Sequence, residues 1–525
     1  IQLLPVMEFE GNISWGYNVS FFMAADKYYG SVNALKNLIE VCHKNGIAVI
    51  LDIAMNHSFG QNSQVQWYFN PSAGSFGQPT AQSPWFNEVA KHDFNVGYDY
   101  NHESKATAEF VKMVYQHWIK EFKIDGYRLD LSKGYTQKNT LGNIGAWNSY
   151  DADRVRILKQ IAEWVWEENP DAYMILEHLG DNPEEKELAD WGFMLWGNMN
   201  HAYTEAAMGF TADLSWGSYK ARNWNNPHLV TYMESHDEER MVFKNKNFGN
   251  TNGAYNVKNP ITALKRAEAA SVVFFTIPGP KMIWQFGELG YDFSINRCEN
   301  GTINNDCRTA PKPIRWDYQN DTSRMQLFDV YASLIRLKRL YPETFNSNDF
   351  TTSLATSIKS VVLRSNTMNA VAVSNMGMAS ATYTVNLPST GTWYGFFSGD
   401  SFEYNGGAFN YPLNAGEYEI FTSERIPNHK EISSKPLSVI NHPARKKELL
   451  LYPNPSKGKF TIEGIEESKN LKVSIYDQAG RLIKVINQNH VKNSVEINTD
   501  LAIGVYLIQI ELDDQVQIKK LIINP

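Results

Sequence analysis

The sequence predicts an α/β fold, a parallel (β/α) barrel, followed by two all-β sandwich modules. Three observations carry this. Short apolar runs alternate with amphipathic helical stretches up to about Leu340, the pattern of a barrel or an open parallel sheet. After Tyr341 the helical period gives way to short alternating strands with Gly, Asn and Ser turns, through about Ser423. A second β pattern begins at Leu449, beyond a stretch without periodicity.

The elements follow in order. Residues 2–6 read as a buried strand, followed by a loop with Trp15-Gly16-Tyr17. A helix then runs from about Ser31, its N-cap, to Asn45, with Gly46 closing it. Ile47 to Ile53 is a continuous apolar strand of the kind buried on both faces, ending in Asp52-Ile53-Ala54-Met55-Asn56-His57. The loop 57–101 is rich in Gln, Asn, Ser, Gly, Pro and aromatics, and its length marks it as functional. Helix 104–122 leads into strand Lys123–Leu129, and helix 151–169 into strand Ala172–Glu177. Weaker strands are expected at Gly192–Gly197 and Leu229–Met233. Helix 261–275, strand Lys281–Phe286 and a helix near 324–340 complete the alternation. These make seven strands where a closed barrel needs eight, and the expectation is a TIM (β/α)8 barrel lacking its first strand and helix. Such a barrel has an open edge, which predicts poor behaviour for this piece in isolation. The expected domains are a catalytic barrel over 1–344 with 57–101 as a small inserted domain, an antiparallel β domain over 345–425, a linker over 426–446 and a β-sandwich over 447–525.

Composition narrows the function. Lys and Arg total 49 against 57 for Asp and Glu, a net charge of -8, which argues against a nucleic-acid partner. No apolar run is long enough to span a bilayer. The cysteines are Cys42, Cys298 and Cys307. Cys298 and Cys307 flank a polar loop and are candidates for a disulfide in an oxidising compartment, whereas Cys42 lies on an apolar helix face and reads as a buried thiol.

Four strand ends carry polar groups that could converge: Asp52/Asn56/His57, Arg128/Asp130, Glu177 and His236/Asp237. Arg128 and Asp130 are two apart and share one strand face. An Arg beside a carboxylate favours its ionised form, as a carboxylate nucleophile requires. Taken singly, each has a plainer reading: a structural ion pair, a turn cap, a surface acid, a core histidine. Together, at the C-terminal strand ends of one alternating fold, they match what glycosidic-bond cleavage requires.

These residues resemble the α-amylase family of retaining glycoside hydrolases and transglycosidases (family 13) over about residues 1–425. Asp52-Ile53-Ala54-Met55-Asn56-His57 resembles its D-x-x-x-N-H segment, and Gly126-Tyr127-Arg128-Leu129-Asp130-Leu131-Ser132-Lys133 its G-x-R-x-D-x-x-K segment. Ile175-Leu176-Glu177 resembles the strand bearing the acid, and Ser235-His236-Asp237 the His-Asp ending. The resemblance implies Asp130 as nucleophile, Glu177 as general acid/base and Asp237 as the carboxylate that stabilises the transition state. Arg128 would orient Asp130, while His57 and His236 would bond sugar hydroxyls. Asp52 and Lys133 join the substrate-binding group, and Tyr17 is the aromatic platform. Glu177 must then hold a proton near neutral pH while Asp130 stays charged. No cofactor is expected for the chemistry. A structural Ca²⁺ is the open question: Asn56 and Asp99 are its candidate oxygens, with loop caps lacking metal as the alternative.

Two departures bear on the acceptor. Ser235 stands where many members have Asn, and Glu234-Ser235-His236-Asp237-Glu238 resembles branching enzymes; Gly134 stands where many have His. From Leu449 the chain resembles the type A sorting domain of the type IX secretion system, on Tyr452-Pro453-Asn454-Pro455, Ile475-Tyr476-Asp477 with Gly480-Arg481-Leu482, and Gly504-Val505-Tyr506. It implies secretion machinery as a partner and a secreted or cell-surface location. The leading expectation is a secreted hydrolase of α-1,4-glucosidic bonds in starch- or glycogen-type polysaccharides. A 1,4-α-glucan branching enzyme with the same catalytic residues and a non-catalytic surface glycan-binding protein are the alternatives.

Overall fold

The computed structural model describes residues 1–434, 449–477, 481–512 and 515–523. The chain divides into two compact units, 1–436 and 437–525.

The first unit is built on a parallel sheet of seven strands in sequential order: β1 (Gln2–Leu3), β2 (Ile50–Ile53), β3 (Gly126–Leu129), β4 (Tyr173–Leu176), β5 (Met194–Asn198), β6 (Leu229–Tyr232) and β7 (Lys281–Met282). All seven expected strands are present, the first and last shorter than the apolar runs suggested. Among the described residues β1 and β7 do not pair, so the wall is an open half-barrel. Side chains alternate across it. Leu51, Ile53, Tyr127, Leu129, Met174, Leu176 and Leu195 lie in the main core with the surrounding helices. Ile50, Ile175, Trp196, Val230 and Tyr232, flanked by Met194 and Met282, form a separate inner cluster. Two residues along β2, β3 and β4 the same face turns polar, with Asp52, Arg128 and Glu177. Gly126 is required on β3 because a Cβ there would lie 2.2 Å from the Tyr173 carbonyl oxygen of the adjacent strand.

The helices between the strands are α1 (Val32–Lys44), α2 (Lys105–Phe122), α3 (Ala152–Trp166), α4 (Asn182–Trp191), α5 (Asn200–Met208), α6 (Met241–Phe248), α7 (Pro260–Thr276) and α8 (Thr322–Leu340). Ser31 caps α1 by accepting from the Ala34 N–H, and Asp151 caps α3 by accepting from Asp153 and Arg154. The expected front loop instead holds an antiparallel pair, Met7–Phe9 with Val19–Ala25. Loop 57–101 carries two short antiparallel pairings, His57–Ser58 with Tyr98–Asp99 and Phe69–Asn70 with Gln78–Pro79.

A six-stranded antiparallel sheet and a two-stranded one follow: β8 (Phe350–Ser353), β9 (Ile358–Leu363), β10 (Ala370–Asn375), β11 (Ala381–Val385), β12 (Gly391–Gly395), β13 (Ser401–Tyr404), β14 (Phe409–Leu413) and β15 (Tyr418–Thr422). They enclose Val371, Val373, Tyr383, Trp393 and Phe421. Arg266 on α7 ties this module to the barrel by donating to the carbonyls of Ala206, Ala207, Met376 and Gly377. The linker expected over 426–446 is corrected at its start: His429–Ser434 is a helix packed on α8 through buried Ile432, where Arg336 donates to the Ile432 carbonyl. The remainder of that stretch, 435–446, lies outside the described residues.

The second unit is one antiparallel sheet of five strands, β16 (Leu450–Tyr452), β17 (Lys459–Tyr476), β18 (Leu482–Asn498), β19 (Gly504–Leu512) and β20 (Gln515–Ile523). This corrects the expected two-sheet sandwich. Register shifts along β17 allow one long strand to bend. A bridge from Ser456 to Ile523 joins the two ends of the sheet, making a near-barrel around Phe460, Ile462, Val473, Ile508 and Leu521.

Candidate active site

Strand register builds the site. Asp52 on β2 pairs with Arg128 on β3, and Arg128 with Ile175 on β4, two residues before Glu177. Main-chain bonds continue the ladder past the strand ends: the Asp130 N–H donates to Ile53 O at 3.0 Å and the Glu177 N–H to Leu129 O at 3.0 Å.

Arg128 is fully buried and sits at the centre. Its Nη1 donates to both Asp52 oxygens at 2.9 Å and to Asp130 Oδ1 at 2.8 Å. Its Nη2 is 2.9 Å from Glu177 Oε2 without an aligned N–H, so that contact is electrostatic. Glu177 Oε2 also accepts from the Leu131 N–H at 3.0 Å. Leu131 has φ +43°, a left-handed conformation that costs a non-glycine residue about 1–3 kcal/mol; it aims that N–H at the acid. The guanidinium lies over the Trp196 ring at 4.1 Å, which adds a cation–π contact from below.

Arg128 is not the only influence on Asp130. Burial pushes Asp130 well above the usual carboxylate range, and Glu177 and Asp52 push it further, against the pull of Arg128. Burial likewise raises Asp52. One guanidinium is thus shared among three carboxylates.

The aromatic wall is formed by Tyr17 and His236, stacked at 5.2 Å, with Trp15 edge-on to the histidine at 5.3 Å. Tyr17 also donates to Asp52 Oδ2 at 2.9 Å. Asp237 stands 3.1 Å from His236 Nε2 and 3.3 Å from Arg308 Nη2. Burial raises its carboxyl, but His236, Arg128 and Arg308 override that and bring it to about 2. The structure thus gathers Tyr17, Asp52, Arg128, Asp130, Glu177, His236 and Asp237 into one constellation.

Two expected sugar-binding residues are placed otherwise. His57 is buried with Nε2 2.8 Å from the Tyr17 carbonyl oxygen, and burial lowers its pKa; its Nδ1 has no hydrogen-bond partner among the described residues. It therefore supports the Tyr17 main chain. Lys133 donates to Asn148 Oδ1 at 2.5 Å and to Leu179 O at 3.0 Å above the Trp147 ring, so protein groups hold its ammonium.

Asn56 Oδ1 and Asp99 Oδ1 are buried without hydrogen-bond partners among the described residues, which is where a cation would be sought. His92 occupies the gap: its Nε2 is 3.1 Å from Asn56 Nδ2 and 3.4 Å from Asp99 Oδ1. Gly134 is needed there, since a Cβ would meet Asn56 Nδ2 at 2.2 Å and His92 Nε2 at 2.7 Å. Calcium takes six to eight oxygens. Two such side-chain oxygens stand here beside a ring nitrogen, and no group of three or more acidic, His or Cys side chains suited to a metal occurs among the described residues.

Trp196, His92 and Arg308 escaped the sequence reading. Trp196 had a signal, being an inward position on an expected strand. His92 and Arg308 sit on loops, where no period links them to distant partners. Cys298 and Cys307 are joined by a disulfide, and Cys42 is buried and free.

Carboxylates gathered around one arginine at the C-terminal ends of parallel strands suit glycosidic-bond chemistry. Residues 1–328 match the model of the alpha-amylase catalytic domain, and the chain belongs to that family, the glycoside hydrolases and transglycosylases of family 13. Residues 450–524 match the secretion system C-terminal sorting domain, which directs secretion across the outer membrane to the exterior or cell surface. Among relatives, the chain is 31% identical over 155 residues to a maltogenic alpha-amylase of Bacillus acidopullulyticus, covering 25% of this chain and 24% of that one. It is 30% identical over 183 residues to the 1,4-alpha-glucan branching enzyme GlgB of Nitrosospira multiformis, covering 34% and 24%. The chain thus spans about a quarter of the length of these relatives. In fold it is similar to an alpha-amylase from Anoxybacillus (TM-score 0.61, 19% identity, 80% of this chain and 86% of that one). It is equally similar to one from Geobacillus thermoleovorans (0.60, 18%, 80% and 87%). No helix among the described residues is long and apolar enough to cross a membrane.

Proposed function

We propose that the protein is a secreted, retaining hydrolase of α-1,4-glucosidic bonds in starch- or glycogen-type polysaccharides. The observation that carries this is the sharing of Arg128 between Asp130 and Glu177 at adjacent strand ends. Asp130 attacks the anomeric carbon and forms a glycosyl ester, while Glu177 protonates the leaving oxygen. Glu177 then takes a proton from the water that releases the sugar. Asp237, across the site, accepts hydroxyl hydrogen bonds that strengthen as positive charge develops on the sugar ring. Tyr17 offers a ring face to the pyranose. Glu177→Gln lowers kcat by about 10²–10⁴-fold and leaves polymer binding intact.

One observation favours a second reading, a 1,4-α-glucan branching enzyme. Ser235, in the segment resembling branching enzymes, donates to Glu238 and accepts from the Asp237 N–H at 3.1 Å, so the departure from Asn shapes the turn that carries Asp237. Amylose assayed for reducing ends and iodine staining together separates the readings. Hydrolysis raises reducing ends as the stain fades. Fading without new reducing ends means transfer, and no change in either means glycan binding without turnover.

A further inference from the structure

We propose that Arg308 is a positioning residue for Asp237, held over it by the loop that the Cys298–Cys307 disulfide closes. This rests on the role given to Asp237 above.

Asp237 is the carboxylate of the site most in need of a second anchor. Its side chain is 37% exposed, against 14% for Asp130 and 18% for Glu177. His236 holds one oxygen. Arg308 Nη2 reaches the other and also donates to the Asp237 main-chain carbonyl, so one guanidinium grips side chain and backbone together. An exposed ion pair on a free side chain ordinarily contributes little. Arg308 differs because its backbone is fixed from several directions. It directly follows Cys307. The bridge brings the Cys298 and Cys307 Cα atoms to 5.0 Å, and Cys298 N donates to Thr302 O at 2.8 Å within the closed loop. Lys312 Nζ donates to the carbonyls of Cys307, Arg308 and Ala310, at 2.8, 3.2 and 2.6 Å. The base of the loop is tied to the turn carrying Asp237, because Glu239 accepts from Ser294 Oγ at 2.7 Å and from the Ile295 N–H at 2.8 Å. The loop therefore holds that turn at both Glu239 and Asp237.

A group that only orients Asp237 acts where the sugar–carboxylate bonds tighten, so its loss falls on kcat rather than KM. The test uses the full-length protein on amylose. Arg308→Met is expected to lower kcat about 10–100-fold with KM within about twofold, and Arg308→Lys to recover most of the loss. The pair Cys298→Ser/Cys307→Ser is expected to lower kcat in the Arg308 protein and to add less than about twofold in the Arg308→Met background, the non-additivity of groups acting through one contact. Thermal melting of each variant checks folding, and Arg308→Lys keeps the test open if Arg308→Met unfolds. Full kcat in Arg308→Met, with Asp237→Asn inactive, overturns the role of Arg308 alone. Cysteine and arginine effects that multiply independently overturn the link to the loop. Activity retained by Asp237→Asn removes the basis of the role given to Asp237 as well.

Discussion

Arg128 faces more negative charge than it can neutralise, and the chemistry of the site follows from that shortage. Asp52 touches it with both oxygens, Asp130 with one, and Glu177 stands at ion-pair distance. Asp130 is raised, and in its protonated form it cannot attack, so the acid limb of kcat/KM lies above the usual carboxylate range. Asp52 is one of the charges raising it. Asp52→Asn removes that charge and frees Arg128 for Asp130, so the acid limb moves to lower pH; a pH–rate profile of the folded variant checks this, and a move upward contradicts it. The sequence already showed this much by spacing, since Arg128 and Asp130 share a strand face and Asp52 ends the neighbouring strand. It did not show that the arginine is divided, because register between strands is set by tertiary pairing. Nor did it show that His57 and Lys133 turn to protein partners, which depends on where Tyr17, Asn148 and the Leu179 carbonyl come to rest.

At the scale of elements, the loops bearing Asp130 and Glu177 rest on a buried network anchored in α3 and α4. Glu184 pairs with Arg154 through two contacts, at 2.6 and 2.8 Å, and with His178 Nε2 at 2.7 Å. Arg154 Nη1 also donates to Lys133 O, and Ser132 Oγ to Glu177 O. Burial would raise Glu184, but hydrogen bonds from His178 and Arg154 bring it down to about 2. A carboxylate with a depressed folded pKa stabilises the fold above its ordinary value of 4.5, and that contribution drains away as pH falls toward about 2. Glu184→Ala leaves a buried arginine unpaired, which costs about 3–5 kcal/mol. Denaturant unfolding is expected to show that loss at pH 7 and a flatter acid dependence than the parent; an unchanged midpoint at pH 7 contradicts it. The long elements α1, α2, α3, α7 and α8 were legible from caps and apolar period. Helices α4, α5 and α6 were not, being only eight to ten residues long, although Asn182-Pro183-Glu184-Glu185 carries the Pro and acidic first turn of a helix start. The Met7–Phe9 hairpin was missed because its partner Val19–Ala25 exposes two of its large residues, Phe21 and Met23.

At the scale of the whole molecule, the chain couples a unit of the alpha-amylase family to a unit that addresses it for export. The Cys298–Cys307 disulfide fits that destination, since such bonds persist outside the reducing cytoplasm. The order of parallel barrel, antiparallel module and terminal β unit was legible from changes of period near Tyr341 and Leu449. The near-barrel form of the last unit was not, because alternation marks strands without saying how a sheet curls. Everything proposed for the site depends most directly on Asp130 as the nucleophile of a covalent glycosyl ester. The decisive measurement is mass analysis of peptides after quenching the full-length protein with a 2-deoxy-2-fluoro-α-glucosyl fluoride, which slows release of the intermediate. The predicted result is one glucosyl adduct on the peptide containing Asp130, absent from Asp130→Asn. An adduct on another carboxylate, or turnover of the reagent with inverted product and no adduct, would contradict it.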